Sequence, residues 1–334
     1  MISIRHPKLK QFAEEHTNAV IRFLASNDNK TRRGNINSWI KSVWNNKYSF
    51  EDILTASPTQ LKSIKTEYDK LPSSVKKLPK KKKKNKVSNN LRYITNIYGY
   101  FANSGSSTSL KDSQNKKYTS YDLVEKLELS VCPYCNRHYI FNIPNDHRRT
   151  CEIDHFYSKS DYPFFAMSFY NLIPCCKTCN HKKEDKDAAK LFNPYLSKPL
   201  AQKAINIGID ITKDNFARDN NNFNVLVTAT DDRLEENIKA FNLQKLYSQH
   251  KDIIKELLLK VQMYNKDFLK GILEDFGKGG EKNELFTNPQ EMLVLLLGNY
   301  FQNKDLAKRP LSKLTQDIGR EIIDRLLSDL DTIK

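Results

Sequence analysis

The sequence predicts an α+β protein, predominantly α-helical, with a small cysteine-rich module between helical N- and C-terminal regions. Three observations predict it. Apolar residues recur at helical spacing over long stretches on both sides. Cysteines, histidines and aromatics concentrate in residues 131–182. Two partly alternating runs follow Pro194 and read as a small hairpin. A length of 334 residues gives room for roughly two domains of about 100–200 residues and for a proper core.

Residues 7–25 carry Leu9, Phe12, Ala13, Val20, Ile21 and Leu24 near helical spacing. Ser57-Pro58 is an N-cap and N1 pair opening a helix over 57–70. Residues 89–102 place Leu91, Ile94, Ile97 and Tyr98 on one helical face. Residues 103–118 are polar and Ser-rich, which predicts a loop. Thr119-Ser120 caps a short helix to about Leu129. The hairpin strands are Ile205–Ile211 and Phe223–Thr228. Helices resume from Asp231, with one long periodic run over 243–276 and two more over 288–303 and 311–333. These C-terminal stripes read as core. Gly277-Lys278-Gly279-Gly280 lacks the spacing and the preceding strand of a phosphate loop and reads as a turn.

The chain carries 55 Lys+Arg against 39 Asp+Glu, a net charge of +16, which points to a polyanionic partner, most often nucleic acid. The excess is located: residues 1–130 are net +14, residues 131–200 net +3 and the remainder net −1. Part of it is the run Lys76–Lys86, where Pro79 and mutual repulsion disfavour a helix. Lys80, Lys81, Lys82, Lys83 and Lys84 read either as a solvated tether or as a phosphate-contacting loop. Arg22, Lys30, Arg32, Arg33, Lys41 and Lys47 keep the region basic without the run. The longest apolar run, Met292–Leu297, falls far short of the roughly 18 residues of a membrane span, and residues 1–7 show no apolar signal core. A soluble, cytoplasmic protein is expected.

An intracellular chain does not use its six cysteines as a disulfide framework. Cys132-x2-Cys135 and Cys176-x2-Cys179 form two knuckles, each offering two thiolates to one tetrahedral Zn²⁺. Such a site is closed to substrate, so its zinc is structural. Cys151 and Cys175 read as plain buried thiols.

Between the knuckles stand Asp154-His155 and, sixteen residues beyond, Asn171-Leu172; Asn180 follows the last cysteine and Lys183 fills the basic position of a CNxxK pattern. Over residues 131–190 this pattern resembles the HNH, or ββα-metal, endonuclease family. The resemblance implies a central ββα-metal module braced by the zinc site. It implies metal-dependent hydrolysis of phosphodiester bonds in nucleic acid, DNA favoured and RNA possible, leaving a 5′-phosphate and a 3′-hydroxyl. His155 is then the general base. Asp154 and Asn180 hold a catalytic Mg²⁺ or Mn²⁺, and Asn171 orders the loop and orients the base. Asp154 and His155 point to opposite faces of a regular strand, so both reach one phosphate only where a strand ends. Asn180 is expected to begin a helix, with Lys183 on the same face. Lys182 and Lys183 are candidate phosphate contacts, with an exposed helix face as the plainer reading, and Arg137 is a third candidate whose plainer reading is a packed or solvated side chain. His138 and His181 lie outside the core pattern and read most simply as solvated or packed.

Tyr162-Pro163-Phe164-Phe165-Ala166 through Asn171-Leu172-Ile173-Pro174, and Lys308-Arg309-Pro310-Leu311-Ser312-Lys313-Leu314, look like bacterial stand-alone HNH proteins encoded beside an ATPase. Anti-phage defence nucleases of the Septu and retron-associated type are similar. That looser resemblance implies an ATPase partner that gates the nuclease. The expected division is a basic helical grip over 1–130, the zinc-braced nuclease module over 131–195, and a hairpin with packing or partner-binding helices over 196–334. Two other readings stand beside it: a zinc-stabilised nucleic-acid-binding module without catalysis, and a restriction or mobile-element HNH nuclease acting alone.

Overall fold

The computed structural model describes residues 1–26, 30–73, 86–103, 105–145, 148–183, 186–196, 204–213, 219–277 and 285–320. The lysine run at 80–84, the end of the last expected helix and most of the 277–280 turn lie outside the described residues. The fold is α+β, about half helical, with small antiparallel two-stranded sheets. The chain divides into two compact units. One comprises Met1–Ile2, Ser130–Tyr139 and Lys198–Lys334; the other comprises Ser3–Leu129 and Ile140–Ser197.

The second unit begins with helices α1 (Leu9–Ala25), α2 (Lys30–Val43), α3 (Phe50–Thr55), α4 (Pro58–Lys70) and α5 (Lys86–Ala102). α1 buries Phe12, Ala13, His16, Thr17, Ala19, Val20 and Leu24, the three-and-four spacing of one helical stripe. Ser57 caps α4 as expected: its hydroxyl accepts from the Gln60 N–H while the Gln60 side chain accepts from the Ser57 N–H, a reciprocal capping box. Leu61, Ile64 and Tyr68 then fall on the buried face of α4.

The polar stretch at 103–118 is not all loop. Leu110–Lys111 (β1) and Lys117–Tyr118 (β2) pair antiparallel, because Leu110 and Tyr118 each bury on the same side of a tight turn. Asp112 holds that turn by accepting from the Gln114 and Lys116 N–H groups. Thr119 and Asp122 form a capping box on α6 (Ser120–Lys126). Next come β3 (Asn142–Ile143) with β4 (Arg148–Arg149), then β5 (Glu152–His155), β6 (Leu172–Cys175) and α7 (Lys177–Lys183).

In the other unit, β7 (Ile205–Ile211) and β8 (Phe223–Ala229) make the expected antiparallel hairpin, with Phe223, Val225 and Val227 buried and the residues between them outward. The run at 243–276 is not one helix. It breaks into α9 (Leu243–Tyr247), α10 (Lys251–Met263) and α11 (Lys266–Phe276), after α8 (Asp232–Ala240). Asn265 restarts the chain by capping the Phe268 N–H, and a local cap competes with helix propagation there. α12 (Pro289–Leu297) opens on Asn288 and stops at Gly298, whose φ of +74° a side chain would disfavour. Residues 312–320 are helical. No helix among the described residues is long and apolar enough to cross a membrane.

Candidate active site

β5 and β6 pair with Glu152 opposite Cys175, Ile153 opposite Pro174, Asp154 opposite Ile173 and His155 opposite Leu172. The strand ends at His155, where the sequence expects it to end. α7 follows β6 directly and packs on β5. The helix begins at Lys177, so Asn180 lies in its middle turn and does not open it; Cys176 accepts from the Asn180 N–H and supplies the first turn instead.

A cavity of about 430 Å³ opens beside these elements, lined among others by Asp154, His155, Lys159, Asn180 and Lys183. His155 is 9% exposed. Its Nε2 lies 3.0 Å from the Ala166 carbonyl oxygen. A carbonyl only accepts, so Nε2 carries the proton and, in the neutral ring, Nδ1 carries the lone pair. Nδ1 has no hydrogen-bond partner among the described residues. Burial, with the Lys159 and Lys183 ammoniums adding to it, pushes the His155 imidazole down to about 3. The ring is therefore neutral at physiological pH. It packs edge-on against Tyr98 from α5, centroids 4.3 Å apart, and the Tyr98 hydroxyl donates to the Ile153 carbonyl at 3.3 Å.

Asn171 is fully buried and closes the loop after the strand. Its amide donates to the Tyr157 and Phe165 carbonyls at 3.0 and 3.1 Å, and its carbonyl accepts from the Tyr157 N–H at 2.7 Å. That fixes the turn whose Ala166 carbonyl holds His155. Asn180 donates its NH2 to the Glu152 carboxylate. A carboxylate accepts only, so this bond sets which end of the amide faces Glu152.

Asp154 is buried, and Lys183 Nζ donates to its Oδ1 at 2.9 Å and to the His155 carbonyl at 2.8 Å. Lys183 is thus turned inward from the C-terminal turn of α7 and is 5% exposed, where the sequence places it on a phosphate-facing surface. The nearby carboxylate and carbonyl explain the turn: a buried ammonium needs both. Lys182 and His181 are exposed on the same helix. Arg137 donates from Nε to His250 Nε2 at 2.9 Å, in the unit that holds the hairpin. Part of the N-terminal positive charge is also engaged within the protein: Arg33 pairs with Glu51, Lys47 with Glu67, and Arg32 sits 4.1 Å over the Tyr93 ring.

Cys132, Cys135, Cys176 and Cys179 are all buried, and their sulfurs all lie within 4.8 Å of one another. Tetrahedral zinc at about 2.3 Å from each sulfur would place the sulfurs about 3.8 Å apart, so the set fits a zinc ion. Around the first knuckle, Asn136 takes a φ of +51° and accepts from the Lys313 N–H, while its amide donates to the Leu306 carbonyl. This gives the Lys308–Leu314 stretch a structural role. Cys151 and Cys175 stay outside the cluster; burial raises both thiols, Cys151 to about 11 and Cys175 well above the ordinary range.

Tyr98, Lys159 and Glu152 bear on the site and are not singled out by the sequence, which names Ala166 only within the Tyr162–Ala166 motif and gives its carbonyl no role. Tyr98 counts there only as one of four residues on an apolar helical face. The others belong to no spacing pattern.

No protein-family model matches the chain, and no solved structure matches it. Two curated proteins are similar over part of it. Septu protein PtuB of Bacillus thuringiensis is 31% identical over 86 residues, which is 25% of this chain and 31% of that protein. Protein ea31 of Escherichia phage lambda is 27% identical over 97 residues, 28% of this chain and 30% of that protein. The similarity therefore spans less than a third of either relative.

Proposed function

We propose that the chain is a metal-dependent HNH-type endonuclease that hydrolyses phosphodiester bonds of nucleic acid, DNA favoured. The observation that carries this reading is the state of His155. It stands at a strand end, its Nε2–H tied to Ala166 and its Nδ1 without a hydrogen-bond partner among the described residues, and it lines a cavity with Asp154 and Asn180. Two antiparallel strands followed by a helix supply the order that the HNH resemblance implies.

In this reading His155 Nδ1 takes a proton from the attacking water. The water oxygen bonds to phosphorus, the bond to the 3′ oxygen breaks, and that oxygen takes a proton from solvent water while the His155 imidazolium returns its own to solvent. The Asp154 carboxylate and the Asn180 amide oxygen form a hard-oxygen set suited to Mg²⁺ or Mn²⁺ and unsuited to zinc. A divalent ion there would supply charge neutralisation at the phosphate. Glu152 orients Asn180 by holding its NH2 end. Asn171 keeps the Ala166 turn in place, and the four cysteines hold a structural zinc. The partial similarity to a Septu protein supports a role in anti-phage defence; an ATPase partner is what the looser family resemblance implies.

One observation favours the second reading, a zinc-stabilised nucleic-acid-binding module without catalysis: the Lys183 ammonium already neutralises Asp154. Plasmid nicking with Mg²⁺ or Mn²⁺ separates the two. We expect nicking by the wild type and its loss, by about 10²–10⁴-fold, in His155→Ala. Equal nicking by both proteins overturns the base assignment. Zinc content unchanged by Cys132→Ser or Cys176→Ser overturns the structural-zinc assignment.

A further inference from the structure

Lys65, Lys159, Lys183 and Lys186 line the cavity. Two of them are committed to carboxylates: Lys65 to Asp69 at 2.6 Å and Lys183 to Asp154 at 2.9 Å. Lys159 is different. Its ammonium rests 4.4 Å from the Tyr98 ring centroid, and among the described residues no carboxylate pairs with it. The same Tyr98 ring packs 4.3 Å from the His155 ring, so one aromatic side chain seats both the imidazole and the ammonium. Lys159 is partly buried. A cation withdrawn from water without a counter-ion is costly unless a ligand repays it, and the face of an aromatic ring holds it in place for that ligand. Exposed Lys186 has no such seat.

We infer that Lys159 is the residue that receives a non-bridging phosphate oxygen of the nucleic-acid backbone, held ready for it by Tyr98. The inference rests on the nucleic-acid reading above and deepens it: the ligand is a phosphodiester monoanion, bound beside His155. No bond is made or broken at Lys159; it binds and orients the phosphate.

The test measures binding of a short double-stranded oligonucleotide to the full-length protein over a salt series, with no divalent ion added. Each neutralised phosphate contributes about 0.9 to the slope of log K against log salt. Lys159→Gln is expected to lower the slope by about one and to weaken binding several-fold. Lys159→Arg is expected to restore the slope, and Tyr98→Leu to weaken binding with Lys159 still present. Thermal melting of each variant separates loss of contact from loss of fold. An unchanged slope in a folded Lys159→Gln overturns the inference. Nicking with Mg²⁺ or Mn²⁺ is scored separately: a wild type that binds with the Lys159-dependent slope yet never nicks overturns the nuclease reading and leaves the phosphate contact standing.

Discussion

Two buried histidines hang from neighbouring carbonyls of one turn and end up with different capacities. His16 Nε2 donates to the Met167 carbonyl at 2.8 Å, and His155 Nε2 to the Ala166 carbonyl at 3.0 Å. Burial lowers both, His16 to about 4 and His155 to about 3. The difference is at the other nitrogen. The Tyr118 hydroxyl donates to His16 Nδ1 at 3.1 Å, and three aromatic rings surround it. His155, which lines the cavity, has no hydrogen-bond partner at Nδ1 among the described residues. The comparison teaches that a shifted imidazole is not itself a sign of chemistry. What separates a packing histidine from a candidate base here is the partner count at one atom.

Substitution should separate the two most strongly. His155→Ala is expected to remove nicking by the factor stated above even per folded molecule, read by nicking and thermal melting together. His16→Ala should do the converse. It opens a cavity among Phe101, Tyr118 and Phe169 and leaves the Met167 carbonyl unpaired, at a cost of about 2–4 kcal/mol. Activity per folded molecule should persist. A His16→Ala protein that melts like wild type but no longer nicks would erase the distinction.

The pH dependence sharpens it further. His16 titrates near 6.5 when unfolded and near 4 when folded, so the unfolded chain binds the extra proton between those values. Its contribution is fully present above pH 6.5 and is lost as pH falls towards 4. The expected loss is about 3 kcal/mol over that window. Chemical denaturation at pH 7 and pH 4.5 measures it, and His16→Phe should flatten this part of the acid limb. An acid limb unchanged by His16→Phe would show that other groups carry it.

Much of this was legible in the sequence, for local reasons. The cysteine knuckles, the Ser57 and Thr119 caps and the Ile205–Phe223 hairpin each depend on residues a few positions apart, and each formed. The strand end at His155 follows from reading Asp154 and His155 as a pair, since two adjacent side chains would share a target only there. What the sequence could not supply came from distance. Tyr98 reaches His155 across 57 positions, and Asn180 finds Glu152 across 28. The sequence reads Lys183 as a phosphate contact because helical periodicity says nothing about a carboxylate arriving from another strand. The breaks inside 243–276 were hidden because an Asn cap leaves the apolar stripe intact on both sides.

The pairing of β5 with β6 has a consequence for what the molecule can stick to. Opposed residues in an antiparallel ladder alternate between pairs that bond each other and pairs whose backbone groups face outward. A two-stranded sheet therefore carries two open edges that can template another strand. Here the outward carbonyls of β5 are taken, Ile153 by the Tyr98 hydroxyl and His155 by the Lys183 ammonium. On β6 the Leu172 carbonyl accepts from the Tyr195 hydroxyl, and Pro174 has no N–H to offer. Side chains that shape the site also blunt both margins of its sheet, which is two strands wide among the described residues.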